Sequence, residues 1–94
     1  MNLENMAARM TRKLTVSFAP TFLEIKDESK KHAGHAGARP GGETHYKVKI
    51  TSAAFSGLSQ VARHRAVYTA LADEMKEGGI HALALQTFAP EDQG

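Results

Sequence analysis

The sequence contains no cysteine and no tryptophan, and it has only two tyrosines and four phenylalanines. The absence of cysteine excludes disulfide bonds, thiol nucleophiles and thiolate metal ligands supplied by this chain. A metal site must therefore use histidine and carboxylate, or take ligands from a partner. The shortage of aromatic residues predicts a thin core built mainly from aliphatic side chains and methionine.

Long hydrophobic runs are also missing. No segment has the unbroken apolar length of a membrane span, and the N-terminus lacks the apolar core of a secretory signal. Arg9, Arg12 and Lys13 lie on an amphipathic stretch that could belong to an organellar presequence. We prefer to interpret this stretch as a first structural helix, so we expect a cytoplasmic protein without membrane contact.

The balance of charge is mild, because twelve Lys and Arg face ten Asp and Glu and leave a formal net charge of +2. A strong nucleic-acid binder carries a denser basic face than this. With 41% apolar residues the chain is expected to fold. We predict one domain over residues 1–94, with a core of about 3–90, a loop at 30–42 and a polar tail at 90–94.

Apolar periodicity predicts two helices. Leu3, Met6, Met10 and Leu14 recur at helical spacing, which indicates a helix over about 2–16 that ends before Pro20. Ser59 is a good N-cap for a second helix ending at Gly78 and Gly79. Its predicted apolar side comprises Val61, His64, Val67, Tyr68, Leu71, Ala72 and Met75. Nearby, Asp73, Glu74 and Glu77 are interpreted as a surface acidic cluster.

Alternating segments predict three strands, at Phe22–Asp27, 44–51 and 80–88. Leu23 and Ile25 share one face of the first strand. In the second, Tyr46, Val48 and Ile50 point inward, whereas His45, Lys47 and Lys49 point outward. The loop between these strands contains five Gly or Pro residues, and at its length in so small a domain we expect it to be functional.

The predicted element order is α-β-β-α-β. A strand, a helix and a strand in one sheet imply a right-handed crossover, which makes the last strand parallel to the second if they are neighbours. The first two strands are expected to pair antiparallel across the loop. Both helices would then cover one face of a mixed three-stranded sheet, giving a two-layer α+β domain.

Five histidines are the most informative residues for chemistry. His32 and His35 lie in the glycine-rich loop, and with His45 they could ligate zinc, copper or iron through neutral imidazoles. The alternative is that the two loop histidines are solvated polar residues. His64 is interpreted as a buried, hydrogen-bonded core residue. His81 opens the last strand, where it could act as a ligand or form a local hydrogen bond.

Other functional patterns are weaker. Gly34 and Gly37 form a G-x-x-G, but no Walker lysine or following helix completes a nucleotide site. A basic patch could form from Arg39, Lys47, Lys49, Arg63 and Arg65, although Arg63 and Arg65 diverge by about 160° around a helix. A solvated edge is the alternative. No catalytic triad or carboxylate pair has persuasive spacing, so we predict no enzyme.

Several motifs occur together in order along the chain, and the set resembles the BolA family. They are Asp27-Glu28-Ser29 with His32, Glu43-Thr44-His45-Tyr46-Lys47-Val48, Phe55-Ser56-Gly57, Arg63-His64-Arg65-Ala66-Val67-Tyr68 and Ile80-His81-Ala82-Leu83-Ala84-Leu85. The resemblance covers about residues 3–90. It implies a class II KH-like fold, in agreement with the element order.

The resemblance also implies a partner and a cofactor. Members of the family form complexes with monothiol glutaredoxins that are bridged by a [2Fe-2S] cluster, whose thiolates come from the partner and its glutathione. The family's ligand that opens the last strand corresponds to His81. The second ligand comes from the loop, where His32 stands at the matching distance and His35 is an additional candidate. Such ligation is expected to loosen on acidification.

The preferred prediction is an accessory protein of iron–sulfur trafficking or iron regulation. The alternative is a DNA-binding transcriptional regulator that uses Lys47, Lys49, Arg63 and Arg65. KH domains grip RNA with a G-x-x-G loop, but the nearest equivalent, Gly57-Leu58-Ser59-Gln60, lacks the second glycine. A homodimer is left open.

Overall fold

The computed structural model describes residues 5–28, 45–76 and 79–93, which form two α-helices and three strands. The elements are α1 (Met6–Phe18), β1 (Phe22–Asp27), β2 (His45–Thr51), α2 (Gln60–Ala70) and β3 (Ala82–Phe88). Short 3-10 segments, Ala53–Phe55 and Pro90–Gln93, follow β2 and β3. The predicted order is confirmed. The predicted loop, with His32 and His35, lies outside the described residues.

The sheet is mixed, with strand order β1-β2-β3. β1 runs antiparallel to β2, and β2 runs parallel to β3 with His45 opposite Ala82 and Thr51 opposite Phe88. A parallel pair needs a crossover, and α2 supplies it. The starts of β2 and β3 therefore lie side by side, at what we call the His45–Ala82 end of the sheet.

The core lies between the sheet and the two helices. Tyr46, Val48 and Ile50 are buried on the inner face of β2, while Leu23 and Ile25 on β1 are half-buried and pack against them, as predicted. The helices and connections add buried residues to this cluster: Met10, Leu14, Phe55, Val67, Leu71, Ile80 and Ala89. Both helices thus cover one face, as a two-layer α+β domain requires.

The bounds of α1 differ from the predicted 2–16. The Asn5 side chain accepts a hydrogen bond from the Ala8 N–H at 2.8 Å, which makes Asn5 the N-cap and starts the helix at Met6. The helix continues to Phe18, whose ring lies 5.0 Å from that of Phe55. Ala19 then ends the helix in the left-handed conformation, with φ of 43°.

α2 begins where the sequence predicts, because the Ser59 hydroxyl accepts from the Ala62 N–H at 3.1 Å. Its predicted end at Gly78 and Gly79 is wrong. The helix ends at Ala70, and residues 71–75 form tight turns in which the Glu74 N–H donates to the Leu71 carbonyl. These turns direct the Glu74 side chain towards α1.

The prediction that Glu74 belongs to a surface cluster is wrong, because this residue is only 1% exposed. Its carboxylate bonds to the guanidinium of Arg9 and the ammonium of Lys13, both at 2.8 Å. A buried carboxylate requires such partners, so Glu74 ties the turn after α2 to the first helix. Asp73 is exposed as predicted, and Glu77 lies outside the described residues.

The predicted apolar side of α2 is partly wrong. Val67 and Leu71 are buried, but Val61 is 62% and Tyr68 40% exposed, whereas Arg63 is 7% exposed. Arg63 turns inward because its guanidinium donates to Asp92 Oδ2 at 2.6 Å and to the backbone carbonyls of Leu58 and Thr87.

The predicted polar tail is a folded element. Asp92 also accepts from the Ala89 N–H at 2.8 Å, and Ser56 donates to Glu91 at 2.9 Å. The Ala89 N–H bond, followed by the hydrogen bond from Arg63, holds the pKa of Asp92 below its usual value. The C-terminal 3-10 segment is thus fastened to the start of α2.

Candidate functional site

Two histidines meet at the His45–Ala82 end of the sheet. The ring centres of His45 and His81 lie 5.3 Å apart, with planes inclined at 56°. His45 is the first residue of β2, and His81 occupies the bend immediately before β3. Because β2 and β3 are parallel neighbours, their first residues must lie together. The parallel register thus produces the pair.

The two rings differ in burial. His81 is exposed, so an external group can reach its imidazole. His45 is only 8% exposed, although strand alternation places it on the outer face, opposite to Tyr46. The outward direction predicted for His45 agrees with this alternation, and the ring is nevertheless buried, with the His81 ring beside it.

The conformation of the chain before β3 positions His81. The Ile80 N–H donates to the Glu74 carbonyl at 2.8 Å, and the Gly79 N–H donates to the Lys76 carbonyl at 2.8 Å. Glu74 is itself held by Arg9 and Lys13 on α1. The bend that presents His81 is therefore braced against the first helix.

A cleft of about 270 Å³ lies beside the pair. Its lining residues come from the end of β1 and the starts of β2 and β3: Glu28, His45, Tyr46, Ala82, Leu83 and Ala84. Glu28 donates its backbone N–H to the His45 carbonyl at 2.8 Å, which continues the β1–β2 ladder by one residue. The cleft is therefore built on the sheet itself.

The remaining described histidine, His64, is half-buried on α2 rather than fully buried as predicted. Within residues 5–28, 45–76 and 79–93, no group of three or more His, Cys, Asp or Glu side chains is arranged to hold a metal ion. The described part of the chain thus offers an imidazole pair. The loop candidates His32 and His35 are beyond it.

The predicted basic patch is divided between separate places. Lys47 and Lys49 are half-buried on the helix-free face of β2, where Lys26 of β1 is the direct cross-strand neighbour of Lys47. Arg63 is buried in its ion pair with Asp92, and Arg65 is exposed on α2. The structure brings the lysines together but does not join them to these two arginines. The fifth member of the predicted patch, Arg39, lies outside the described residues.

The contact between His45 and His81 was not predicted from the sequence. The sequence patterns placed each histidine near the start of a strand, but they did not show that these two strand starts are neighbours. The available signal was the predicted parallel pairing, which places residues at equivalent strand positions side by side. The fastening of Arg63 by Asp92 had no comparable signal in the sequence.

Two layers, a mixed sheet of three strands and an α-β-β-α-β order place this chain in the class of small KH-like domains. The family model for BolA-like protein matches residues 14–92. This chain belongs to the BolA-like family.

Similar proteins support this assignment. The chain is 45% identical over 92 residues to "Protein BOLA1, chloroplastic" of Arabidopsis thaliana, covering 96% of this chain and 57% of that protein. It is 42% identical over 80 residues to the "DNA-binding transcriptional regulator BolA" of Escherichia coli, covering 85% and 71%. The relatives include chloroplast proteins, so the cytoplasmic expectation is not confirmed.

Solved structures show the same fold. BolA1 from Arabidopsis thaliana superposes with a TM-score of 0.83 at 43% identity, covering 97% of this chain and 98% of that one. The BolA domain of SufE1 from the same plant gives 0.84 at 41% identity, covering 97% and 99%. This chain spans only 25% of the full SufE-like protein 1.

Among the described residues, no helix is long and apolar enough to cross a membrane.

Proposed function

We propose that this chain is an accessory protein that binds a monothiol glutaredoxin and contributes histidine to a shared [2Fe-2S] cluster, in iron–sulfur trafficking or iron regulation. The observation that carries this proposal is the exposed imidazole of His81, held at the end of the sheet by a braced bend. Family membership supports the same role.

The donor atoms fit such a cluster only as part of a complex. The chain has no cysteine, so thiolates must come from the partner and its glutathione. His81 is accessible from outside, as a ligand shared between two proteins must be. The second imidazole is proposed to come from His32 or His35, which lie outside the described residues.

A cluster held partly by neutral imidazole carries less negative charge than one held only by thiolates, and its reduction potential is correspondingly higher. The contribution of this chain is to present His81 in one place and to bury the neighbouring His45. Such bracing lowers the conformational entropy lost when a ligand is fixed. None of these roles requires the chain to catalyse a reaction.

The test is a titration of the protein into a cluster-loaded monothiol glutaredoxin, followed by visible absorption and circular dichroism. We expect a spectral change that saturates near one-to-one and fails for His81→Ala. His32→Ala and His35→Ala decide the loop ligand, and His64→Ala is the matched control on α2. No change with the wild-type protein would refute the proposal.

A second candidate, DNA binding in transcriptional regulation, is favoured by one observation. Lys26 and Lys47 are direct cross-strand partners, although like charges opposite one another destabilise a sheet. With Lys49 they make the helix-free face basic, and the similar Escherichia coli protein is named a DNA-binding regulator.

Binding to duplex DNA over a range of salt concentrations tests this second candidate. Affinity should fall steeply with salt, and Lys47→Ala with Lys49→Ala should reduce the slope by about two counterions. Arg63→Ala is not a suitable probe because it removes a buried ion pair. Negligible affinity at moderate salt would remove this candidate.

A further inference from the structure

The distance between the His45 and His81 rings is suitable for two ligands of one metal ion. Zinc binds imidazole nitrogen at about 2.0–2.1 Å with tetrahedral geometry, and two rings on one such ion have centres about 5 Å apart. The centres of His45 and His81 are 5.3 Å apart. The two rings thus already have the spacing that a common ion requires.

The backbone keeps this spacing. His45 begins β2, its carbonyl accepts the Glu28 N–H, and its Cα partner in the parallel ladder is Ala82. His81 directly precedes Ala82, so one ladder anchors both histidines. Ligands held in this way lose little conformational entropy when they bind an ion.

The surroundings favour a metal that accepts nitrogen ligands. Glu28 lies next to His45 on the cleft wall and supplies negative charge, while Lys47, two residues along the same face of β2, offsets part of it. The site therefore depends on imidazole coordination rather than on net charge. Zinc, cobalt and copper accept imidazole, whereas magnesium and calcium prefer oxygen.

We propose that the chain alone binds one divalent transition-metal ion, with Zn²⁺ as its representative, through His45 and His81. Because His81 is exposed, solvent water can complete the four-coordinate shell. The pair is a two-ligand site, in keeping with the absence of any three-residue metal cluster among the described side chains. Nothing in this proposal requires a glutaredoxin.

The ion has a consequence that does rest on the proposed function. His81 is the ligand proposed for the shared cluster, so an ion bound to His45 and His81 occupies that imidazole. Zinc is therefore expected to compete with formation of the cluster complex. The binding proposal and the cluster proposal fail separately, because the first is measured on the chain without its partner.

The test is calorimetric titration of the full chain with Zn²⁺, with Co²⁺ absorption as a second probe of tetrahedral nitrogen ligation. We expect one ion per chain. His45→Ala and His81→Ala should each weaken binding more than about tenfold, and the double variant should lose little more, because both residues serve one ion. His64→Ala, the matched control on α2, should bind like the wild type.

His45→Phe separates ligation from packing. It keeps an aromatic ring against His81 but removes the nitrogen, so it should fold and still lose Zn²⁺. Side-chain nitrogen resonances of both histidines should shift on metal addition. The proposal is overturned if His45→Phe binds normally, if His32→Ala or His35→Ala abolishes binding while His45→Ala does not, or if one ion joins two chains.

Discussion

At the scale of single residues, a substitution affects stability most where the neighbouring atoms cannot move. Gly79 is one such position, because a Cβ added to it would collide with the Glu74 carbonyl oxygen. Gly57 differs, since its φ of +79° favours glycine but a Cβ at this position would meet nothing within 4 Å. The two glycines are therefore required for different reasons, steric at Gly79 and conformational at Gly57.

Gly79→Ala is expected to destabilise the fold by about 2–3 kcal/mol, because its Cβ meets backbone that cannot move aside easily. It should also shift the ring resonances of His81, two residues further on. Gly57→Ala, at the opposite end of the sheet, should cost about 1–2 kcal/mol through backbone strain and leave those resonances unchanged. Urea unfolding and histidine NMR measure both effects, and an unperturbed His81 in Gly79→Ala would contradict the bracing described above.

Asp92 links stability to pH. The Ala89 N–H and Arg63 lower the pKa of Asp92 in the folded state, so the unfolded chain binds its proton more readily. The stabilisation is present above the unfolded pKa of about 3.9, and it is lost as pH falls through the lower folded pKa. Thermal unfolding of the wild type and Asp92→Asn should therefore differ at about pH 6, and this difference should shrink as pH falls from about 4 through the lowered folded pKa. A constant difference across this range would contradict the assignment.

At the scale of elements, the connection between α1 and the turn after α2 depends on one buried carboxylate. Glu74 is buried, whereas Arg9 and Lys13 keep 38% and 25% of their side chains exposed. The cations can thus be hydrated if Glu74 is removed, but Glu74 cannot be hydrated if they are removed. The ion pairs orient the turn that leads to His81.

Glu74→Ala is expected to reduce the free energy of unfolding by about 2–4 kcal/mol, through loss of packing and of both ion pairs. Its neighbour Asp73 has a side chain that is 65% exposed and pairs with Lys76 and Lys13, so Asp73→Ala is the control and should change stability little. Urea denaturation measures both variants. Equal effects would show that Glu74 acts only as a surface charge.

At the scale of the whole molecule, the two ends of the sheet have different structural roles. The His45–Ala82 end carries the histidine pair, and the Thr51–Phe88 end is closed by the C-terminal 3-10 segment that Arg63 fastens. The ladder of β2 and β3 has seven residue pairs from one end to the other, a length of about 20 Å. Residues this far apart without shared partners act independently.

The effects of Asp92→Asn and His81→Ala on stability are therefore expected to add within experimental error. Asp92→Asn should also leave Zn²⁺ affinity unchanged. Thermal unfolding of the two single variants and the double variant, with a zinc titration of each, checks this. A clear departure from additivity would show that the two ends of the sheet are coupled.

Sequence alone determined the features that depend on local pattern. Alternation placed β1 at Phe22–Asp27 with Leu23 and Ile25 on the inner face, the Ser59 hydroxyl started α2, and the order of elements specified the mixed sheet. The lack of cysteine restricted the chain to imidazole and carboxylate ligands. These inferences hold because period, capping and composition act within a few residues.

Tertiary structure decided the features that depend on distant partners. The charges of Glu74 and Arg63 are typical of surface residues, and only the folded chain places Arg9, Lys13 and Asp92 beside them. α2 was predicted several residues too long because helical spacing of apolar residues continues past Ala70, where the helix ends. His45 and His81 lie 36 positions apart in the chain, and the parallel register alone brings their rings to 5.3 Å. Burial and ligand geometry depend on which residues contact one another, and these contacts form only when the chain folds.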